Sequence, residues 1–362
     1  MELSLPELCG QLIVGGFDGD ELPAVMAEAL RAGRRGGVIY FKRNLPSVEA
    51  AHELSSSVVD AARDDLPPFI GVDEEGGRVR RLPAPVMTLP PMRALGKIGD
   101  VELVRRAGFL LGRQLAPLGF NLDFAPVLDV DSNPKNPIIG DRAFSDEPDA
   151  VARFGRAFAG GLGKAQVLAC GKHFPGHGDT DKDSHLDLPV IRHDKERLDA
   201  VELPPFRAAS HAGIPTLMSA HIVLSEIDPG VPATLSHRVC TTLLRGELGF
   251  RGVLFSDDLE MRALSDNYEI AESAVGAIAA GCDALLICRD FELQEAALDA
   301  LVRRAEADSS FKSRCTEALG RNLAARRAKP PRPLPSASDL DAVFDSDEPD
   351  ALLDEIKRRS KR

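Results

Sequence analysis

Three of the chain's eight histidines fall in the fourteen-residue stretch Lys172-His173-Phe174-Pro175-Gly176-His177-Gly178-Asp179-Thr180-Asp181-Lys182-Asp183-Ser184-His185, beside three aspartates. A solvated turn has no need of imidazole at that density, so the stretch reads as a functional loop. Imidazoles and carboxylates this close could ligate a divalent metal. Against that, His173, His177 and His185 are spaced by four and eight within a loop, and no His-x-His pair stands on an early strand. The other chemistry is proton transfer. Asp183 and His185, two residues apart, can fold together so that the carboxylate holds the imidazole, fixes its tautomer and raises its pKa. A histidine near its ordinary pKa of about 6.5 already exchanges protons at neutral pH.

An acid/base dyad needs a nucleophile opposite it. Asp257, in Phe255-Ser256-Asp257-Asp258-Leu259, closes the apolar run Val253-Leu254-Phe255. A carboxylate there could attack an anomeric carbon and form a covalent glycosyl-enzyme. A helix N-cap or a buried ion-pair partner would be the structural role of the same residue, and Asp258 is the competing carboxylate. In Gly71-Val72-Asp73-Glu74-Glu75-Gly76-Gly77-Arg78-Val79-Arg80-Arg81, Asp73 can hydrogen-bond a sugar diol, with arginines beyond a glycine turn. Glu74 and Arg80 read as members of a surface salt-bridge cluster. Arg142, after a Pro/Asn-rich loop, could clamp a ligand oxygen or staple that loop.

The elements that must position these groups are short apolar runs separated by helical patterns, the signature of parallel strands in βα units. Eight runs are expected as strands: Gln11 to Phe17, Gly37 to Phe41, Phe69 to Asp73, Leu122 to Leu128, Val167 to His173, Thr216 to His221, Gly252 to Asp257 and Asp283 to Cys288. Helices are expected at Glu21 to Arg31, Val48 to Arg63, Val101 to Leu118, Pro148 to Lys164 and Ile270 to Ala280. Eight alternating units favour a closed (β/α)8 TIM barrel. Active sites of that fold lie at the strand C-termini, where Asp73, Lys172, His173, His221 and Asp257 fall. Residues 1–328 are read as the catalytic barrel. Residues 329–362, with Pro330, Pro331, Pro333 and Pro335 followed by charged sequence, are read as a Pro-rich and charged tail forming an extended strap and then a short helix or disordered end. No internal repeat beyond the βα unit is visible.

A net charge of -12 removes the basic footprint that nucleic acid or an anionic membrane would require. The N-terminus lacks a positive region followed by an apolar core, no lipoprotein signal precedes Cys9, and no run approaches the roughly 20 apolar residues of a membrane span. The six cysteines form no CxxC pair and read as reduced and buried. A cytoplasmic monomer with neither nucleic-acid nor membrane partners is expected.

Lys172 to His185 resembles the KHFPGHGxxxxDSH signature of the N-acetylglucosaminidases of glycoside hydrolase family 3. Val72 to Arg81 resembles their VDxEGGRVxR segment, Asn121 to Phe144 their NLDFAPVLDV and NPxIGDRxF, and Ser256 to Met261 their [ST]D[AD]LxM. The resemblance runs in order from about residue 7 to residue 325. It implies a retaining exo-β-N-acetylglucosaminidase that removes terminal N-acetylglucosamine from oligosaccharides or peptidoglycan-derived muropeptides, with no metal or organic cofactor. It implies Asp257 as nucleophile, His185 as acid/base, Asp183 as its partner, and Asp73, Arg81, Arg142, Lys172 and His173 as sugar ligands. Glucosidases of the family usually take their acid/base from a later domain, and the dyad supplies that group here. A histidine does not repel an incoming phosphate dianion as a carboxylate would, so phosphorolysis at the same site is the alternative reaction. A barrel kept only to bind carbohydrate is the non-enzyme alternative, although it would need neither Asp257 nor the dyad.

Overall fold

The computed structural model describes residues 3–180, 188–334 and 336–361. All eight expected runs form strands: β1 Ile13–Gly15, β2 Gly37–Tyr40, β3 Phe69–Val72, β4 Leu122–Asp123, β5 Leu168–Phe174, β6 Thr216–Ser219, β7 Val253–Asp258 and β8 Ala284–Ile287. They pair in parallel and in sequence order, and β1 pairs with β8 to close the barrel. The fourth strand is much shorter than the apolar run suggested. Pro126 interrupts it, having no N–H to give to a ladder, and only an isolated bridge between Val127 and Lys172 continues the pairing.

Helices cover the outside: α1 Leu5–Gly10, α2 Ala24–Arg31, α3 Val48–Ala61, α4 Met92–Ile98, α5 Val101–Leu115, α6 Pro148–Lys164, α7 Pro204–His211, α8 Ile270–Ala280, α9 Phe291–Ala307 and α10 Ser309–Ala328. Their starts follow local chemistry. Asp100, Asp290 and Asp308 accept from the first N–H groups of α5, α9 and α10, as N-cap carboxylates do.

Strand alternation explains what the barrel mouth receives. Successive strand side chains point to opposite faces, and the interior stack includes Ile39, Phe69, Leu168, Cys170, Met218, Phe255 and Leu286. Phe255 meets Phe69 and Phe124 edge to face, with centroids 5.2 and 5.4 Å apart. Continuing each strand in steps of two places Phe41, Asp73, Lys172, Asp257 and Cys288 in the uppermost layer. Apolar rings thus fill the barrel and polar groups cap it.

Beyond α10 the chain crosses the opposite face as an extended strap. Asn121 donates to the Lys329 carbonyl at 3.0 Å, the Leu334 N–H donates to Pro117, and the His52 imidazole donates to the Leu334 carbonyl at 2.7 Å. A last helix, α11 Glu348–Arg359, buries Leu352 and Ile356 against the hydrophobic cluster of α4 and α5.

Candidate active site

The uppermost layer surrounds a cavity of about 320 Å³, at the small end of ligand pockets and suited to one sugar ring. Asp73, Glu75, Arg81, Arg142, Lys172, His173 and His177 line one arc. Asp257, Asp258, Met261, Leu286, Cys288, Ile39 and Phe41 line the other. The ladders shift register between Gly171 and Phe174 on β5 and where β8 meets Phe255 and Asp258 of β7. Such irregularities re-aim side chains, and here consecutive residues, Lys172 with His173 and Asp257 with Asp258, reach the same cavity.

The polar arc is assembled by an ion network. Lys172 Nζ lies 2.7 Å from Asp73 Oδ1 and 2.6 Å from Glu75 Oε1. Arg142 grips Glu75 through Nε at 2.9 Å and a terminal nitrogen at 2.8 Å, and Arg81 reaches the other oxygen of Asp73 at 3.2 Å. Burial opposes charge throughout, yet the cations outweigh it: Lys172 and Arg81 hold the Asp73 carboxyl below its ordinary range, and Arg142 and Lys172 do the same for Glu75. Burial lowers the affinity of Lys172 for its proton, but Asp73 and Glu75 reverse this and leave it above the usual lysine range. Arg142 is therefore both a staple and a wall of the cavity.

Glycine turns the third strand's loop back on itself. Gly76 and Gly77 adopt φ of +95° and +58°, where a side chain is strained, and the reversal returns Arg81 to Asp73. Glu74 is not a surface charge as the sequence suggested. It is buried, accepts from the Arg81 and Leu82 N–H groups at 2.8 and 3.1 Å, and burial pushes its carboxyl up to about 7. Arg80 is exposed and donates to the Thr88 hydroxyl.

Asp129, which the sequence reading passed over, organises the root of the histidine-rich loop. Its carboxylate accepts from the His173 N–H, the His177 N–H at 2.7 Å and His173 Nδ1 at 2.8 Å. Asn136 donates to the His177 and Gly178 carbonyls. His177 Nδ1 meets the Thr180 hydroxyl at 2.7 Å, and burial, with the neighbouring His173, pushes its pKa down to about 4. Asp183 and His185 lie outside the described residues.

Asp257 stands at the end of β7 with Oδ1 accepting from the Asp258 N–H at 2.8 Å. Asp258 is differently placed: its Oδ1 accepts from the Glu260 and Cys288 N–H groups, and burial pushes its pKa up to about 7. At neutral pH Asp258 therefore keeps a substantial share of its proton, which weakens it as a nucleophile. His221 does not reach the cavity. It is fully buried between the Thr234 hydroxyl and the Asp258 carbonyl and braces the strand end.

This geometry, a polar sugar-sized arc facing a carboxylate across the mouth of a parallel barrel, meets an independent match. The model of the glycosyl hydrolase family 3 N-terminal domain covers residues 4–321. The chain belongs to glycoside hydrolase family 3. This family 3 hydrolase is 41% identical over 261 residues to a β-hexosaminidase of Nitrosomonas eutropha, covering 70% of this chain and 74% of that one. A solved family 3 β-N-acetylglucosaminidase from Paenibacillus sp. str. FPU-7 superposes with a TM-score of 0.94 at 40% identity, covering 99% of this chain and 69% of that one. NagZ from Neisseria gonorrhoeae, solved with N-trifluoroacetyl-D-glucosamine, matches with a TM-score of 0.79 at 30% identity over 96% and 98% of the two chains.

Proposed function

We propose that this family 3 hydrolase is a retaining exo-β-N-acetylglucosaminidase acting on terminal N-acetylglucosamine of muropeptides or related oligosaccharides. The reading is carried by the placement of Asp257 opposite the Lys172-centred arc. Asp73, Arg81, Arg142, Lys172 and His173 hold the sugar hydroxyls. Asp257 attacks the anomeric carbon while protonated His185, oriented by Asp183, donates to the leaving oxygen. Deprotonated His185 then activates water, and the sugar leaves with retained configuration.

Two histidines of the loop are already engaged in ways that support the choice of His185. His173 is tied to Asp129, and His177 is held neutral far below the pH at which a proton must be exchanged. The substrate likeness comes from the curated β-hexosaminidases and from NagZ. No helix among the described residues is long and apolar enough to cross a membrane, and a monomer working in the cytoplasm fits this reading.

The experiment compares aryl β-N-acetylglucosaminide with aryl β-glucoside, with EDTA throughout and with and without phosphate, while NMR follows the anomer released. The expected outcome is selective release of free β-N-acetylglucosamine from the first substrate. Sugar 1-phosphate would make the reaction phosphorolysis, and α-product would remove the covalent intermediate. Asp257→Asn should lower kcat by roughly three orders of magnitude or more; substantial remaining activity would move the role to Asp258.

A further inference from the structure

The segment after the strap has no part in this mechanism and lies beyond residue 321, where the family match ends. Its helix α11 packs on α4 and α5 and contributes Leu352 and Ile356 to the cluster that holds Met92, Leu95, Val104 and Phe144. Arg359 reaches Asp100, the N-cap of α5, at 2.7 Å, and Glu355 meets Arg106 at 3.0 Å. The helix it leans on, α4, has seven residues, too few to stand without packing. What packs on α4 therefore decides where it sits.

Besides α11, α4 touches the two loops that carry the arginines of the polar arc. Pro91, at its start, abuts Gly77, and Met92 abuts Gly76, so closely that a Cβ at either glycine would come within about 3 Å of them. Arg93 bonds Asp131 at 2.5 Å and the Ala143 carbonyl at 3.3 Å. Gly96 admits the Phe144 carbonyl, which would lie 1.9 Å from a Cβ there. The first loop returns Arg81 to Asp73, and the second holds Arg142 on Glu75.

We propose that the C-terminal segment 336–361 is a positioning element of the sugar pocket, bracing α4 so that Arg81 and Arg142 keep their places. This rests on the reading of those two arginines as sugar ligands. The test is Leu352→Ala combined with Ile356→Ala, with Leu352→Ala alone as the milder variant, assayed well below each variant's measured Tm. Hydrogen exchange should quicken in residues 74–82 and 136–144. KM for an aryl N-acetylglucosaminide should rise about five- to tenfold with kcat held within about twofold, the pattern of lost ground-state binding. Unchanged exchange in both loops overturns the bracing, whatever Arg142→Ala does in the otherwise intact protein. Faster exchange with unchanged KM overturns the link to the pocket. An Arg142→Ala enzyme with unchanged KM removes the sugar-ligand reading and the proposal with it, and the exchange data tell the two failures apart.

Discussion

Lys172 is 2% exposed and sits between two carboxylates, one from the end of β3 and one from the turn beyond it. Glu75 in turn takes both a lysine and a bidentate arginine, so its removal takes the bidentate carboxylate from Arg142 and leaves Lys172 with Asp73 alone. Breaking a buried pair from one side costs about 3–5 kcal/mol. Glu75→Ala should lower Tm clearly and raise KM at least about tenfold while kcat falls less, because Asp257 keeps its own support. Steady-state kinetics beside a thermal melt read both effects, and an unchanged KM would show that the network does not shape the pocket. Glu74 makes the opposite prediction in pH. Burial raises its folded pKa to about 7, above the ordinary glutamate value of 4.5, so its proton favours the folded state at low pH. That contribution is lost as pH rises from 4.5 through 7, and is on the order of 3 kcal/mol. Glu74→Gln keeps an acceptor for the Arg81 and Leu82 N–H groups. Its Tm should therefore fall less than that of the natural protein between pH 5 and 7.5; parallel Tm curves would refute the assignment. These residues also mark what the sequence hides. Asp73, Lys172, His173 and Asp257 are legible because each closes an apolar run. Glu74, Glu75 and Asp129 are not, since a carboxylate in a charged or alternating stretch looks solvated until distant loops supply its partners.

The strands and major helices were readable for a simple reason. Buried parallel strands need uninterrupted apolar runs, and outer helices need a 3.6-residue stripe. Pro148–Lys164 and Ile270–Ala280 form over the expected residues. The helix α4 and the packed end of the tail were not readable, because their burial depends on each other and on loops far off in sequence. Loop roots are equally dependent on tertiary approach. Gly178 has no left-handed backbone to explain it, yet a Cβ there would stand 1.6 Å from the Val130 carbonyl oxygen. Gly178→Ala must displace either that strand extension or the chain leading to Asp183 and His185, five and seven residues later. Misplacement by about 1 Å can cost roughly a hundredfold. We expect kcat/KM to fall by that order, and to fall most for substrates with poor leaving groups, which need the acid. A comparable loss on activated aryl substrates would place the damage in binding instead.

At the scale of the whole molecule, the barrel is closed by a seam between its first and last strands, and the far end of β8 is fixed by charge. Asp283, fully buried, accepts from Arg245 and Arg314 at 2.6 Å and from Arg321 at 3.0 Å, and also from the Leu254 N–H. Asp283→Ala should destabilise the fold by about 3–5 kcal/mol, with little change in KM for the molecules still folded, since the site lies at the opposite end. Denaturant unfolding followed alongside activity checks this; a change in KM without loss of stability would contradict it.

The seam also has a consequence in time. Ile13 of β1 pairs with Leu285 of β8, so the ribosome must add more than 270 residues before the first strand can meet its final neighbour. At about 5–20 residues per second this is a wait of roughly 14–55 s. Throughout that interval β1 has only β2 beside it, with one edge open to any other strand. The emerging chain is therefore most vulnerable to wrong pairing at its oldest strand, and the three arginines that settle on Asp283 act only once nearly all of the barrel has been made.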